Sequence, residues 1–208
     1  MTKTAFPVVS LVFAGICLAS GPAVAQGSDT SNPGAESPST TTKSMGQSIA
    51  SSDRNFLMEA AQNGMAEIEA SKIAQSKATS PEVKQFASQM VDDHMKTDEE
   101  LKSLASSKGV TLPDKPSPVQ RMRLSALEST SSEKFDKRFT EQFGVKAHQD
   151  TVKLFKKEAA QGRDPELKSF ADRTLPALEH HLTMAQSLEE HVQSSGAKPS
   201  DTSGSKSY

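Results

Sequence analysis

Two segments of this 208-residue chain open in nearly the same way: residues 80–87 read SPEVKQFA and residues 164–171 read DPELKSFA. Each begins with a residue that can cap a helix, followed by a proline at the first helical position and a glutamate in the first turn. Each also follows a very short connection from a preceding amphipathic stretch. The repetition predicts two similar antiparallel helical hairpins.

The first hairpin is predicted to contain helices over about 53–78 and 80–108. Ser52 or Asp53 is available to cap the first helix, and Lys108-Gly109 offers a left-handed glycine to end the second. Apolar or small residues recur on the first helix at steps of three and four, which predicts its buried stripe. That stripe is Leu57, Ala61, Gly64, Ile68, Ser71 and Gln75.

The second hairpin is predicted over 132–161 and 165–193, with Pro176 expected to kink its last helix. About 22 residues separate the hairpins and contain a proline-marked loop and a short helix over 119–127. Such a segment can carry the chain along the whole bundle, so the second and third helices would run parallel. The predicted fold is therefore an all-α, ferritin-like four-helix bundle with a long crossover. An up-down-up-down bundle with a decorated loop is the alternative.

The third long helix changes its hydrophobic period once. A step of five residues separates Phe143 from His148, whereas the neighbouring steps are three or four. One extra residue is the signature of a π-bulge, a feature frequent at functional sites. We predict a bulge near 144–147. The regular steps on either side are Phe135, Phe139, Phe143 and His148, Val152, Phe155, Ala159.

The two ends of the chain have the composition of a targeting segment and of linkers. Residues 1–25 combine Lys3, an apolar stretch and the small-x-small sequence Ala23-Val24-Ala25, which predicts a signal peptide cleaved before Gln26. The apolar run of about 16 residues is shorter than the ~20 that a membrane span needs, so an uncleaved anchor is disfavoured. Residues 26–51 and 194–208 are predicted to be a disordered tether and tail, which leaves 52–193 as the bundle domain. The expected location is the periplasm or the medium.

Composition and motifs exclude several function classes. The formal net charge of -2 contains no basic excess that would indicate a nucleic-acid partner. Cys17, the only cysteine, lies in the predicted signal peptide, so the mature chain has no thiol chemistry. Ser-His-Asp patterns, glycine-rich phosphate loops and zincin motifs are absent, which favours a non-enzymatic protein. No particular protein partner is indicated, and no transmembrane span is expected in the mature chain. A homodimer remains an open alternative, as bundles of this type often pair, although no exposed apolar stripe requires one.

Three histidines fall on the predicted buried faces of three different helices: His94, His148 and His181. Glu67 lies beside the buried stripe of the remaining helix. A Glu and three His from four facing helices would suit a Zn, Fe or Cu ion. The alternative is a structural network in which the imidazoles are hydrogen-bonded to carboxylates or backbone. The Asp92-Asp93 pair before His94 could orient an imidazole, although a solvated helix face is the more ordinary interpretation.

A ferroxidase-type di-iron centre is not expected. That chemistry requires Glu-x-x-His on two helices. The residues three positions before the histidines are Val91, Val145 and Leu178, so the motif is missing at all three.

Several short stretches together resemble the bacterial domain-of-unknown-function family 4142. They are FLMEAAQNGMAEIE (56–69), SPEVKQFA (80–87), MVDDH (90–94), Phe135-Asp136, Ala147-His148 and LPALEHHL (175–182). The resemblance implies a ferritin-like fold, export and no established activity, and its pattern includes Glu67 and the three histidines. We therefore expect an exported bundle protein, with envelope or stress tolerance as the hypothesis for its role. Metal binding or buffering by the Glu/His cluster is the alternative.

Overall fold

The computed structural model describes residues 49–196, and their regular structure is helical throughout. Four long helical segments and a short crossover helix appear where the sequence predicts them. The predicted signal peptide, nearly all of the tether and the tail beyond Gly196 lie outside the described residues. The elements are α1 (Ser51–Lys77), α2 (Pro81–Ser107), α3 (Pro118–Glu128), α4 (Ser132–Phe139), a π-helix (Thr140–Lys146), α5 (Ala147–Gln161) and α6 (Pro165–Gly196).

The predicted starts of α2 and α6, at the two repeated segments, and the predicted end of α2 are confirmed. The Ser80 hydroxyl accepts a hydrogen bond from the Val83 amide at 3.3 Å, and the Asp164 carboxylate accepts from the Glu166 and Leu167 amides at 2.9 and 3.1 Å. After α2, Gly109 has a φ of 65°, a left-handed conformation that favours glycine. Local capping chemistry therefore fixes where α2 and α6 begin and where α2 ends.

The prediction that Ser52 or Asp53 caps α1 is wrong. The helix begins after Ala50 with no side-chain cap. Asp53 is instead buried, and its carboxylate accepts hydrogen bonds from the Arg163 and Asp164 amides at 3.1 and 2.7 Å. Asp53 therefore accepts hydrogen bonds from the connection between α5 and α6, which is far away in the sequence, and not from the amides of its own helix. Gln75, predicted on the buried stripe, is exposed.

A second buried aspartate makes the reciprocal contact. Asp136 on α4 accepts hydrogen bonds from the Thr79 amide at 3.0 Å, the Thr79 hydroxyl at 2.5 Å and the Ser80 amide at 2.8 Å. The turn of each hairpin is thus held by an aspartate from the first helix of the other hairpin. We call Asp53 and Asp136, with the turns they hold, the reciprocal clasps.

The reciprocal clasps also show the topology. The start of α1 lies at the α5–α6 turn, and the start of α4 lies at the α1–α2 turn. The segment from α4 to α5 therefore runs parallel to α2, and the crossover containing α3 returns the chain along the bundle. This connectivity confirms the ferritin-like fold over the up-down-up-down alternative.

The core consists of two apolar clusters with a polar layer between them. One cluster packs Phe86, Met90 and Phe139 with residues near the α1–α2 turn, and the other packs Phe56 and Phe170 with residues near the α5–α6 turn. His94, His148 and His181 each lie between the two clusters on their own helix, and on α1 Glu67 lies next to Ala66, the first residue of one cluster. The layer thus cuts across the middle of the bundle. None of the described helices is both long and apolar enough to cross a membrane.

A buried carboxyl at the end of α5 predicts a pH-dependent stability. Burial, reinforced by the nearby negative charge of Asp53, raises the pKa of Glu158 from 4.5 to about 7. The folded protein therefore retains a proton that the unfolded chain releases, and stability falls as the pH rises from about 4.5 through 7. We expect Glu158→Gln to increase the free energy of unfolding by about 1–3 kcal/mol at pH 8 and to have little effect at pH 4. Urea unfolding at both pH values checks this, and an equal effect at the two would contradict it.

Candidate metal site

The four residues singled out in the sequence meet in the polar layer. Glu67 comes from α1, His94 from α2, His148 from α5 and His181 from α6, and their exposed fractions are 3%, 5%, 1% and 3%. Each occupies the core-facing side of its helix at the level where the two apolar clusters meet. The structure therefore brings together all of the predicted site residues.

The three imidazole rings form a nearly equilateral triangle. Their centroids are separated by 5.5 Å for His94 and His148, 5.6 Å for His94 and His181, and 5.6 Å for His148 and His181. One ring nitrogen from each histidine lies within 4.8 Å of the corresponding atoms of the other two. No other group of three or more potential metal ligands occurs in residues 49–196.

Each ring has one nitrogen in contact with an acceptor outside the triangle. His148 Nδ1 lies 2.8 Å from the Gly144 carbonyl oxygen, and His181 Nε2 lies 3.1 Å from Asp93 Oδ2. Because these partners only accept, both nitrogens must carry the proton. His94 Nδ1 lies 3.1 Å from Glu67 Oε2, a contact in distance whose angle does not complete a hydrogen bond. In each ring, therefore, one nitrogen has a contact outside the triangle and the other nitrogen does not.

The remaining nitrogens have no partner. His94 Nε2, His148 Nε2 and His181 Nδ1 are buried and make no hydrogen bond. A buried polar atom without a partner destabilises a protein by about 1–3 kcal/mol, and such atoms are rare in native proteins. All three of these atoms belong to the rings of the one triangle.

The π-helix sets the orientation of His148. It confirms the predicted bulge, although it begins at Thr140, four residues earlier than expected. The wider turn accommodates the five-residue step from Phe143 and brings His148 Nδ1 within 3.2 and 2.8 Å of the Phe143 and Gly144 carbonyl oxygens. Gly144 also permits close packing of α6, because a Cβ there would lie 3.1 Å from the Ala185 Cβ.

Deleting Lys146 would test the role of the bulge. The deletion shortens the step from Phe143 to the histidine to four residues, so the ring still faces the core. In a regular α-helix, the Phe143 and Gly144 carbonyls that now accept from His148 Nδ1 would instead accept from backbone amides. We expect unchanged helical content and a zinc affinity lower by about 10–100-fold, measured by competition with a chelator. Lys146→Ala, which removes only the 2.7 Å pair with Asp150, is the control; equal zinc affinity for the deletion and this control would contradict the role.

Burial favours the neutral form of His94 and His181. Desolvation lowers the pKa of His94, with the Glu67 charge opposing it. Desolvation, followed by the charges of the other two histidines, lowers the pKa of His181 to about 4, although Asp93 acts to raise it. Neutral imidazole is the form that binds metals, so protons compete weakly for His181 at neutral pH.

Two carboxylates, those of Glu67 and Asp93, contact two of the rings from outside the triangle. Glu67 Oε1 accepts a hydrogen bond from the Thr151 hydroxyl at 3.3 Å, while Oε2 faces His94 Nδ1. Glu67 was grouped with the ligands in the sequence prediction; here its Oε2 lies 3.1 Å from His94 Nδ1. Asp93 makes the corresponding contact with His181 across the α2–α6 interface. The only sequence signal for this was the Asp92-Asp93 pair, which does not specify that one aspartate reaches another helix.

The sequence profile of a family described as a domain of unknown function, DUF4142, matches residues 38–188. This chain belongs to the DUF4142 family. No curated protein has a significant sequence match to this DUF4142 protein.

Solved structures similar to this DUF4142 protein are also helical bundles. A DUF305 fragment from Deinococcus radiodurans superposes with a TM-score of 0.62 at 11% identity, covering 70% of this chain and 99% of that one. CopM in the Cu(I)-bound form superposes with a TM-score of 0.56 at 18% identity, covering 67% of this chain and 96% of that one. The Cu(II)-bound form of CopM gives a TM-score of 0.55 with the same identity and coverage. At these identities the likeness shows the fold alone.

The triangle in this DUF4142 bundle has the size that one metal ion requires. Three imidazoles bound to one ion through nitrogens at ~2.1 Å place their ring centroids about 5.2–5.5 Å apart, close to the observed values. The bound nitrogens would lie about 3.4 Å apart, within the 4.8 Å limit seen here.

Proposed function

We propose that this DUF4142 protein binds a single copper or zinc ion through His94, His148 and His181. The observation that carries the proposal is the triangle of buried imidazoles, each with one nitrogen oriented by a partner and the other unpartnered. A purely structural network would pair these last nitrogens with acceptors or donors, as most buried polar atoms are paired. Metal binding accounts for all three.

The donor set favours copper and zinc over the other candidate, iron. Three imidazoles without a carboxylate in the triangle differ from a di-iron centre, which needs several bridging and terminal glutamates. Imidazole ligands suit both Cu and Zn, and the affinity of such a site is greatest for Cu(II) among the divalent first-row ions. CopM, a similar bundle, has been solved in Cu(I)-bound and Cu(II)-bound forms, which supports copper as the first ion to test.

The charges around the triangle suit a cation in a buried layer. An unpaired ion is expensive to bury, so a metal site inside a bundle needs nearby negative charge. Glu67 lies behind His94 and Asp93 behind His181, each in contact with the ring nitrogen opposite the triangle. The two carboxylates together match the charge of a divalent ion and hold the two rings in the orientation that binds it.

The expected location is consistent with a binding or buffering role. Residues 1–25 predict export, and the mature chain would present histidines rather than cysteines, which oxidise outside the cytoplasm. We infer a periplasmic or secreted protein that binds excess metal and so contributes to envelope stress tolerance. A deletion strain is expected to grow less well than the wild type in excess copper or zinc, and equal growth in both would contradict this role.

Metal stoichiometry tests the binding itself. The chain from Gln26 onward, purified without an affinity tag, is titrated with Cu and Zn beside a variant in which His94, His148 and His181 are alanine. The matched control changes the exposed histidines His180 and His191, which lie outside the triangle. We expect one tightly bound ion per chain in the wild type and the control and none in the triple variant, with folding checked by circular dichroism. Equal binding by a folded triple variant, or no binding by the wild type, would refute the proposal.

A further inference from the structure

A narrow cavity lies beside the histidine triangle, lined by residues of α1, α2, α5 and α6. Its polar lining includes Glu67, His94, Thr97 and Asp98, and Gly64 forms part of its wall. The space that the centre of a water molecule can reach is about 20 Å³. A cavity of this size holds about one water molecule, so it admits a nearly bare ion but no larger ligand.

A second cavity approaches the same layer from the side of α3, but it stops at Glu67. Its lining includes Asn63, Gln120 and Ala147, and it contains none of the three histidines of the triangle. The first cavity reaches both Glu67 and His94. Of the two, the first is therefore the one that leads to the triangle.

Gly64 has no packing reason to be glycine. It lies in the middle of α1, where glycine destabilises a helix by about 1 kcal/mol relative to alanine. A Cβ built at this position meets no atom within 4 Å, so the space in front of it is open. The absence of a side chain at position 64 leaves the cavity wall clear.

We propose that this cavity is the route by which the metal ion reaches the histidine triangle, with Gly64 keeping it open and Glu67 receiving the ion on the way. The inference rests on the proposed function. The route is too narrow for a hydrated ion, so the ion must exchange most of its water for protein oxygens as it enters. Two carboxylates lie along the wall: Asp98, whose side chain is 12% exposed and forms an ion pair with Lys102, and Glu67, one of whose oxygens has no hydrogen-bond partner.

Substitutions that narrow one cavity at a time test the entry route without replacing the proposed metal ligands. Gly64→Leu adds a side chain to the cavity wall without replacing any of the three histidines. Gly64→Ala is the matched control at the same position, and Ala147→Leu narrows the second cavity. Zinc uptake by the full mature chain is followed by stopped-flow with a fluorescent zinc indicator, together with the final stoichiometry. We expect Gly64→Leu to bind the same amount of zinc about tenfold more slowly, because uptake must then wait for local opening. Gly64→Ala and Ala147→Leu are expected to bind at close to the wild-type rate.

The outcomes distinguish the route from the binding itself. Wild-type uptake kinetics in Gly64→Leu, or slowing by Ala147→Leu alone, would overturn the route while leaving the metal site intact. A wild-type protein that takes up no zinc would overturn the proposed function and the route with it.

Discussion

Saturation with zinc is expected to raise the thermal unfolding midpoint of the protein by about 5–10 °C. A ligand that binds only the folded state at 100 times its dissociation constant stabilises that state by about 2.7 kcal/mol. In a domain of this size, each 1 kcal/mol shifts the midpoint by roughly 2–4 °C. On the proposed site, the ion would also give partners to three buried nitrogens that otherwise have none.

Calorimetry with zinc and with a chelator measures this shift. The variant with alanine at His94, His148 and His181 should show none, whereas the variant changed at His180 and His191 should respond like the wild type. An equal shift in the triple variant would place the stabilising ion elsewhere on the molecule.

Asp136→Ala is expected to lower the free energy of unfolding by about 2–4 kcal/mol. The substitution leaves the Thr79 amide, the Thr79 hydroxyl and the Ser80 amide without their acceptor. Hydrogen bonds to a charged acceptor contribute about 1.5–3 kcal/mol each, and losses at one carboxylate are not additive. Because the bonds join the two hairpins, their loss weakens the bundle as a whole.

Urea denaturation of Asp136→Ala measures the effect. Asp150→Ala is the control, since that carboxylate is exposed and makes only surface ion pairs, worth well under about 1 kcal/mol. Indistinguishable stabilities for the two variants would show that the clasp does not hold the hairpins together.

Much of the fold follows from local features of the sequence. The repeated openings, the glycine after α2 and the length of the crossover predict the hairpins and their connectivity. The five-residue step from Phe143 to His148 predicts the π-helix, because the same face must remain buried on both sides of it. Asp53 was misassigned because an aspartate near a helix start looks like a cap, and its true partners lie 110 and 111 residues away in the chain.

The sequence predicts which residues meet at the candidate site, but it does not predict the role of each residue there. Periodicity predicts that His94, His148 and His181 face the core, and it places Glu67 only beside the buried stripe of α1. The roles depend on how each helix is rotated about its axis, because that rotation determines which ring nitrogen faces the triangle. The contact of Asp93 with His181 and the use of the Gly144 carbonyl by His148 depend on that packing.

Anomalous diffraction from crystals loaded with one equivalent of zinc tests the central claim most directly. The account predicts a single strong peak inside the polar layer, at ~2.0–2.1 Å from His94 Nε2, His148 Nε2 and His181 Nδ1. A triangle without a peak, with zinc found only at exposed residues such as His180 or His191, would contradict it.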